Sequence, residues 1–581
     1  MSEPKTNETQ DNDSNVSRLI NEETRPLDIK NYSNWTKEEL IAEINKLKKR
    51  KKYGIVWEEK EEIVVKESEA KLPVLNELAN LSLIFEPRFQ TDVLIEGDNY
   101  HALSVLNYTH KGKIDAIYID PPFNTGARNW KYNNDYVDKN DTFRHSKWIS
   151  MMEKRLKLAK PLLKDDGVLI CAIDENELWH LGMLLEELFF DREVHLITIV
   201  HNPRGVQGEN FSYVNEFAFF VIPKHKKIIS TRKLKQDEIY WSNLRNWGGE
   251  SDRTDAKNCF YPIIVKGSEI IDFGEVATAD YHPPQQTEVR GDLSYVWPID
   301  VKGNEKKWRY ARQSVEEIKD ILRVRKSNKG RIEIEIGKDY GIVRTVWQDT
   351  KYDAAEYGTK LIHALVPGND FEFSKSVYTV YDCLASVVSD RKNAIVLDFF
   401  AGSGTTGHAV IMLNKNDGGS RRFILCTNNE NNIAVEVCYP RVKKVIEGDE
   451  QYKNITGFDA NLKYFQTDFI SNVSTDYNKK KLVARSTEML CLKENCFCKE
   501  SEGRDFRIYS GNDDKMLSII YDDNGIEECK AILRKLNRKV VVYIFSLDDS
   551  NKEEDFIDIN NLVEIKPIPA SILNVYRRLF G

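Results

Sequence analysis

A short apolar strand that runs into two consecutive prolines constrains the fold of this chain more than any other part of its sequence. Residues 114–119 are nearly all apolar, as expected for an inner strand of a parallel sheet. Proline lacks a backbone N–H, so a strand ladder cannot continue through Pro121 and Pro122. The strand must therefore end at Asp120, and the fixed φ angles of the prolines make the following turn stiff.

The turn itself offers two acceptors and an aromatic face. A carboxylate at Asp120, a rigid carbonyl at Pro121 and a ring at Phe123 suit a pocket that stacks a flat ring and accepts hydrogen bonds from its exocyclic NH2 group. Taken alone, these residues fit an ordinary strand-end turn equally well. The candidate catalytic residues are Asp120, Pro121, Pro122 and Phe123.

A second strand, followed by a glycine turn and the start of a helix, occupies residues 394–410. Glycines at 402 and 404 permit a tight turn and close approach of a ligand to the backbone. Together with Gly407 they also match the dinucleotide fingerprint, so an NAD site fits the spacing as well. A nucleoside-cofactor loop combined with an amine-binding turn is what methyl transfer from S-adenosyl-L-methionine to a base amine requires.

The chain resembles the amino-methylating DNA methyltransferases of the permuted class, in which the target-base motif precedes the cofactor loop. It most closely resembles the modification (Mod) subunit of type III restriction-modification systems. The segments that carry the resemblance follow one another in the expected order: 96–99, 120–126, 211–217, 371–376 and 398–407. The resemblance implies a Rossmann-like α/β methyltransferase fold with a mostly parallel sheet, an inserted target-recognition domain and a small C-terminal α/β domain.

The activity implied by the resemblance is methylation of adenine N6 in double-stranded DNA after the base is flipped out. In the family, Asp-Pro-Pro followed by an aromatic residue usually goes with adenine, while cytosine N4 enzymes more often begin this motif with serine. Phe123 replaces the commoner tyrosine. The open alternatives are an orphan adenine or cytosine methyltransferase without a restriction partner, and a DNA-binding specificity subunit whose catalytic site has decayed.

The resemblance also implies a cofactor site. Asp98 is expected to face the adenosine, residues 371–376 the methionine end, and Glu430 or Asn428 the ribose. Ser376 replaces the commoner proline. The full set of candidate cofactor-binding residues is Asp98, Phe373, Lys375, Ser376, Asp398, Phe400, Gly402, Ser403, Gly404, Thr405, Asn428 and Glu430.

Composition, hydrophobic pattern and the resemblance together divide the chain into parts. The expected parts are a mobile tail (1–28), an N-terminal helical docking segment (29–90), the catalytic half of the methyltransferase (91–225), a target-recognition domain (226–350), the cofactor-binding half (351–453) and a C-terminal subunit- or partner-contact domain (454–581). Within the catalytic half, residues 130–143 are expected to form a long polar and aromatic loop near the flipped base.

The net charge of −8 does not exclude a DNA partner, because DNA binding depends on a local patch. Residues 301–331 contain eleven Lys and Arg against four acids, a surplus of +7. Without DNA, a solvated helix around 314–323 and a basic loop explain the same charges. The candidate DNA-binding residues are Lys306, Lys307, Arg309, Arg323, Arg325 and Lys326.

Composition sets the remaining expectations. The chain has no apolar run of about 18 residues and no secretory signal, so we expect a cytoplasmic protein without a membrane partner. Nine scattered cysteines suggest a reducing compartment, and the cluster Cys491, Cys496 and Cys498 lacks zinc-site spacing, so no metal is expected. No Walker A loop or nuclease signature is present. The resemblance then implies a homodimer and a helicase-nuclease restriction subunit as partners.

Overall fold

The structure is a computed structural model that describes residues 35–48, 55–208, 210–233, 239–327, 330–338, 340–448, 456–471, 475–512, 514–547, 550 and 552–580. The chain forms two compact units, residues 1–56 and 57–581. The first contains helix α1 (Lys37–Lys48), whose first turn is closed by mutual hydrogen bonds between Thr36 and Glu39. The expected mobile tail, 1–28, lies outside the described residues.

The second unit begins with alternating strands and helices. These elements are α2 (Ile63–Ala70), β1 (Lys71–Glu77), β2 (Gln90–Glu96), α3 (Asn99–Thr109), β3 (Ile114–Ile119), β4 (Ala127–Tyr132), β5 (Asp135–Asp138), α4 (Arg144–Ala159), β6 (Leu163–Ile173), α5 (Leu178–Leu188), β7 (Arg192–Val200), β8 (Val206–Gln207), β9 (Ser212–Tyr213) and β10 (Asn215–Pro223). The loop expected over 130–143 is wrong: β4 and β5 form a hairpin, because Asn133 and Asn134 adopt the positive φ angles of a tight turn.

Residues 226–350 contain ten described strands, nine of which pair in small antiparallel sheets, while the last pairs in parallel with β7. Their strands are β11 (Arg232–Lys233), β12 (Trp241–Asn243), β13 (Ile263–Lys266), β14 (Glu269–Phe273), β15 (Thr287–Arg290), β16 (Leu293–Val296), β17 (Leu322–Lys326), β18 (Ile332–Gly337), β19 (Tyr340–Gly341) and β20 (Val346–Trp347). The solvated helix considered for 314–323 is only a short 3-10 helix, Glu316–Ile321. From Leu322 the apolar and basic residues alternate, so the segment pairs as a strand with β18.

The chain then returns to longer elements. These are α6 (Lys360–Leu365), α7 (Val377–Val388), β21 (Ile395–Asp398), α8 (Thr405–Asp417), β22 (Arg422–Thr427), α9 (Tyr439–Glu447), β23 (Ala460–Ser471), α10 (Asp476–Ala484), α11 (Thr487–Glu494), β24 (Cys496–Glu502), β25 (Phe506–Gly511), β26 (Met516–Ile520), α12 (Ile526–Leu536), β27 (Val540–Phe545), β28 (Val563–Ile568) and α13 (Ala570–Phe580). The last five strands form a separate sheet, in agreement with the expected C-terminal α/β region.

A ten-stranded sheet in the order β1-β23-β2-β22-β21-β3-β6-β10-β7-β20 forms the centre of the second unit. Its middle strands, from β23 to β6, are parallel to one another, and antiparallel strands flank them. The predicted α/β class with a mostly parallel sheet is confirmed. The expected domain boundaries at 90/91 and 453/454 are wrong, because β1 and β23 belong to this sheet. Each boundary assigns a strand of the central sheet to a neighbouring domain.

The core of this unit lies between the sheet and the helices that pack against it. Buried apolar side chains of α7 and α8 meet those of β3, β6 and β21. Because the middle strands run parallel, their carboxyl ends lie at one edge of the sheet. Among the described residues, no helix has the length and apolar character needed to cross a bilayer.

Candidate active site

The two motifs identified in the sequence meet at the carboxyl edge of the central sheet. Strands β3 and β21 are parallel neighbours, with Ala116 paired to Val396 and Ile117 to Leu397. Asp120 and Asp398 therefore lie at adjacent strand ends. Within this sheet the chain continues from β21 to β22 and from β3 to β6, which lie on opposite sides of this pair of strands. Open α/β sheets form their ligand-binding crevice at such a point.

Packing holds the turn after β3 in one conformation. The indole N–H of Trp148, a side chain with no solvent exposure, donates to the backbone carbonyl of Pro122 at 2.6 Å. Asn124, also fully buried, has a positive φ of 56° and accepts a hydrogen bond from the indole of Trp130 at 3.0 Å. None of the hydrogen bonds between described residues ends on the carbonyl of Pro121, so this acceptor is available to a ligand.

The carboxyl group of Asp120 lies next to a buried lysine. Lys375 Nζ is 3.4 Å from Asp120 Oδ1, and the same ammonium is hydrogen-bonded to Glu216, a side chain that is 5% exposed. Burial raises the pKa of Asp120 to about 6, the charge of Lys375 opposes this shift, and the charge of Glu216 adds to it. For Lys375, burial lowers the pKa, but the two carboxylates outweigh it and raise the value above its ordinary level.

Asp120 also has an unused acceptor. Among the described residues no donor is aligned with its buried Oδ1, although Lys375 lies within ion-pair distance. A buried acceptor without a donor costs about 1–3 kcal/mol, and a ligand N–H relieves that cost. The free Oδ1 and the free Pro121 carbonyl belong to consecutive residues, so both can accept from one amino group.

The ring of Phe123 is half-buried beside these acceptors. Lys375 Nζ lies 4.3 Å from the ring centroid and covers one of its two faces. A flat ligand must therefore stack on the other face. Lys375, expected from the resemblance to bind the cofactor, contacts both Asp120 and Phe123, which joins the 371–376 element to the catalytic turn.

The backbone angles of the turn after β21 explain why glycine occupies two of its positions. Gly402 and Gly404 have φ angles of 51° and 78°, and a Cβ at Gly404 would lie 3.0 Å from the sulfur of Cys438. Asp398 closes the turn, since its carboxylate accepts from the backbone N–H of Phe400 and from the hydroxyl of Thr406. Burial raises the pKa of Asp398 to about 7, and the charge of Asp120 contributes in the same direction.

Arg441 of α9 lies under this turn, and the sequence analysis missed it. Its guanidinium is fully buried and donates through Nη1 to the hydroxyls of Thr405 (2.7 Å), Ser403 (3.1 Å) and Ser374 (3.3 Å). Nε and Nη2 have no hydrogen-bond partner, and no carboxylate among the described residues pairs with the group. Burial lowers the pKa of Arg441 to about 10. A cation this isolated favours an anionic ligand group.

The structure gives the other cofactor candidates different surroundings. Asp98 caps α3 through the backbone N–H of Tyr100 and pairs with Arg155 at 3.3 Å. The hydroxyl of Ser376 caps α7 and donates to a backbone carbonyl, so it is fully used within the protein. Phe373 is 79% exposed. Phe400 is half-buried and packs beside Phe399.

At the end of β22, Asn428 is exposed and Glu430 is half-buried. Glu430 forms an ion pair with Lys131 of the β4–β5 hairpin. The hairpin therefore reaches from the catalytic turn to the predicted ribose-binding acid. No feature of the sequence pointed to this contact, because it depends on how the hairpin folds over the sheet edge.

The candidate DNA-binding residues do not form one uniform patch. Arg309 and Arg323 both contact β12, through the hydroxyl of Ser242 (3.0 Å) and the ring of Trp241 (4.1 Å) respectively. Arg325 and Arg323 share the carboxylate of Glu335, which offsets part of their charge. Elsewhere, Lys306 pairs with Asp252 at 2.5 Å, Lys307 is half-buried and Lys326 is exposed.

Comparisons with known proteins agree with this arrangement. Residues 114–467 match the family model described as DNA methylase. The type II methyltransferase M.KpnI of Klebsiella pneumoniae is 29% identical over 383 residues, which cover 63% of this chain and 86% of that protein. The EcoPI Mod subunit of Escherichia phage P1, a type III restriction-modification enzyme, is 26% identical over 395 residues, which cover 59% of this chain and 58% of the subunit.

The chain thus spans little more than half the length of the Mod subunit that it matches. Among solved structures, the cytosine-N4-specific PvuII DNA methyltransferase aligns with 62% of this chain and 89% of that protein, at 10% identity and a TM-score of 0.31. A score this low supports no conclusion about the site.

Proposed function

Because the chain belongs to the DNA methylase family, we propose that it transfers a methyl group from S-adenosyl-L-methionine to the exocyclic amine of a base in double-stranded DNA. The observation that carries the proposal is a pair of adjacent acceptors, Asp120 Oδ1 and the Pro121 carbonyl, on which no hydrogen bond between described residues ends. An amino group has two hydrogens to donate, and this turn offers one acceptor for each. The half-buried ring of Phe123 beside them supplies a stacking surface.

The chemistry proposed for these residues needs no covalent intermediate. The base is flipped out of the duplex, at a cost of a few kcal/mol, and stacks on the face of Phe123 opposite Lys375. Its amino group donates to Asp120 and Pro121, which orients the nitrogen lone pair and places negative charge beside a nitrogen that becomes positive. The proton that this nitrogen must then lose passes to the carboxylate of Asp120. Lys375 holds the carboxylate of Asp120 in place, and Glu216 in turn holds Lys375.

The residues at the crevice fit S-adenosyl-L-methionine, which when bound supplies the electrophilic methyl group. The glycine turn at 402–404 leaves backbone close to the ligand, and Asp98 and Glu430 are acids at neighbouring strand ends. The isolated guanidinium of Arg441, with the hydroxyls that it polarises, suits the carboxylate of the methionine moiety. The ion pair of Glu430 with Lys131 uses Oε1, which leaves Oε2 for a ribose hydroxyl.

We further propose adenine N6 as the target atom and a role as the modification and specificity subunit of a type III system. The Asp at the start of the catalytic turn supports the target atom, and the similarity to the EcoPI Mod subunit supports the role in a type III system. A restriction subunit, a second copy of the chain and a cytoplasmic location belong to the same proposal. Residues 226–350, with Arg309 and Arg323 beside β12, would contact the duplex.

A methyltransferase that acts without a restriction subunit is the second candidate. One observation favours it: the chain spans 86% of the type II enzyme M.KpnI but only 58% of the EcoPI Mod subunit. Co-purification separates the two candidates, because only a Mod subunit retains a helicase-nuclease partner when both genes are expressed together.

Transfer of a labelled methyl group to DNA tests the proposed chemistry. We expect wild-type protein to label duplex DNA and Asp120→Ala to lose at least about 100-fold in rate, because the amine loses its charged acceptor. Binding of S-adenosyl-L-methionine, measured by calorimetry, should be unchanged in the variant. Substantial labelling by Asp120→Ala, or labelled RNA in place of DNA, would refute the proposal.

A further inference from the structure

Two histidines and a buried glutamate form a compact cluster below the catalytic turn, outside the residues used above. His145 lies on α4, and Glu177 and His180 lie at the start of α5. The Nδ1 atom of His145 is 2.6 Å from Glu177 Oε1, and the Nδ1 atom of His180 is 2.8 Å from Glu177 Oε2. One ligand atom from each side chain lies within 4.8 Å of the other two.

Glu177 needs a positive partner that the protein does not otherwise supply. Its side chain has no solvent exposure, and no lysine or arginine of the described residues forms an ion pair with it. A buried carboxylate without a counter-charge is costly. Either a protonated histidine or a bound cation must provide the charge.

The geometry at His180 favours a cation. Its Nδ1 and Glu177 Oε2 are 2.8 Å apart, yet within the described part of the chain neither atom has a partner in hydrogen-bond geometry. A hydrogen bond puts the hydrogen near the line that joins donor and acceptor. Two ligand atoms of one metal ion lie close together without this alignment, because the lone pair of each atom points at the ion. Bonds of about 2.0–2.2 Å put tetrahedral zinc ligands roughly 3.3 Å apart, so the side chains must widen the 2.6 Å and 2.8 Å separations when an ion enters.

We propose that His145 Nδ1, the carboxylate of Glu177 and His180 Nδ1 bind a divalent transition-metal ion of the zinc class. Both histidine side chains are 36% exposed, so the cluster opens to solvent and a water molecule can complete a tetrahedral site. The ion takes no part in methyl transfer. It fixes Glu177, which accepts the side-chain N–H of Asn124, the residue that follows Phe123. The metal therefore stabilises the catalytic turn from below.

One neighbour competes with the ion. The Nε–H of Arg144 donates to His145 Nε2 at 3.1 Å, which leaves the ring proton on Nδ1. Metal binding at Nδ1 requires that proton on Nε2, so the half-exposed side chain of Arg144 must turn toward solvent. Removal of the arginine side chain is therefore expected to strengthen metal binding, a result that a plain hydrogen-bonded cluster does not produce.

Metal titration of the full chain tests the inference. After dialysis against a chelator, we expect one Co²⁺ per chain with the visible absorption of a tetrahedral site, displaced by one Zn²⁺, and a higher melting temperature with Zn²⁺. His180→Ala should weaken Zn²⁺ binding by at least about tenfold, because it removes a ligand. His195→Ala is the matched control, since His195 is an exposed histidine on β7 whose side chain pairs only with Glu193 among the described residues.

Arg144→Met provides the second variant, with tighter Zn²⁺ binding as the expected result. Absence of Co²⁺ absorption in the wild type, unchanged binding in His180→Ala, or affinity in Arg144→Met that is not increased would each overturn the assignment. In that case the cluster is a hydrogen-bonded one in which a protonated histidine neutralises Glu177. All readouts are metal binding, so they do not depend on methyltransferase activity.

Discussion

Lys375 Nζ lies 3.4 Å from Asp120 Oδ1 and joins the catalytic turn to the segment before α7. The lysine brings a positive charge to a carboxyl group whose pKa burial raises to about 6. The protein thus keeps an acid poised a little below neutral pH at the point where the two halves of the site meet.

The rate of methyl transfer should depend on the ionisation of Asp120. Only the carboxylate offers a charged acceptor, and its protonated fraction grows as pH falls below about 6. We therefore expect single-turnover rates to be constant at alkaline pH and to fall about tenfold per pH unit well below that pKa. Asp120→Asn, whose amide does not titrate here, is the control and should show a low, pH-independent rate. A wild-type profile that is flat across this range would refute the role of Asp120.

Lys375 and Glu216 should move that profile in opposite directions. The charge of Lys375 lowers the pKa of Asp120, so Lys375→Met raises the apparent pKa of the rate profile. The charge of Glu216 raises the same pKa, so Glu216→Gln lowers it. Both variants should also react more slowly, because the carboxylate of Asp120 is then held less firmly in position. A slower reaction with an unchanged apparent pKa in both variants would mean that the two residues only pack against the site and do not set the pKa of Asp120.

Arg441 should discriminate ligands by their carboxylate. We expect the wild type to bind S-adenosyl-L-methionine more tightly than its decarboxylated analogue, because a buried guanidinium gains a counter-charge only from the former. Arg441→Met should lose most of this difference while it still binds the decarboxylated analogue. Equal loss of affinity for both ligands in the variant would show that Arg441 supports the fold of the glycine turn and does not recognise the carboxylate.

The contribution of single basic residues to DNA affinity should follow their local partners. Arg309 is exposed, and its only described side-chain hydrogen bond goes to a neutral hydroxyl, so Arg309→Ala should weaken binding and reduce the salt slope by about 1. Lys306 is paired with Asp252, so Lys306→Ala should have the smaller effect. Fluorescence anisotropy at several salt concentrations measures both. A larger effect at Lys306 than at Arg309 would move the DNA path away from β12.

Local sequence patterns predicted the strand before Asp120, the glycine turn at 402–404 and the α/β class. In each case the information lies within a few residues, as apolar runs, prolines or glycines. The contacts of Lys375, the burial of Arg441 and the His145–Glu177–His180 cluster depend on residues distant in the chain. Their side chains meet only through the way in which the strands and helices pack together. The hairpin at 127–138 was missed because its turn uses two asparagines, Asn133 and Asn134, in place of glycine.

The central claim is that Asp120 supports methylation of a specific base in DNA. Single-molecule sequencing of genomic DNA from a methylation-free host that expresses the wild-type chain or Asp120→Ala tests it most directly. The account predicts N6-methyladenine on one strand of a single asymmetric motif in the wild type and none in the variant. Modified bases that persist in Asp120→Ala, or no modified base with the wild-type chain even when a restriction subunit is co-expressed, would contradict it.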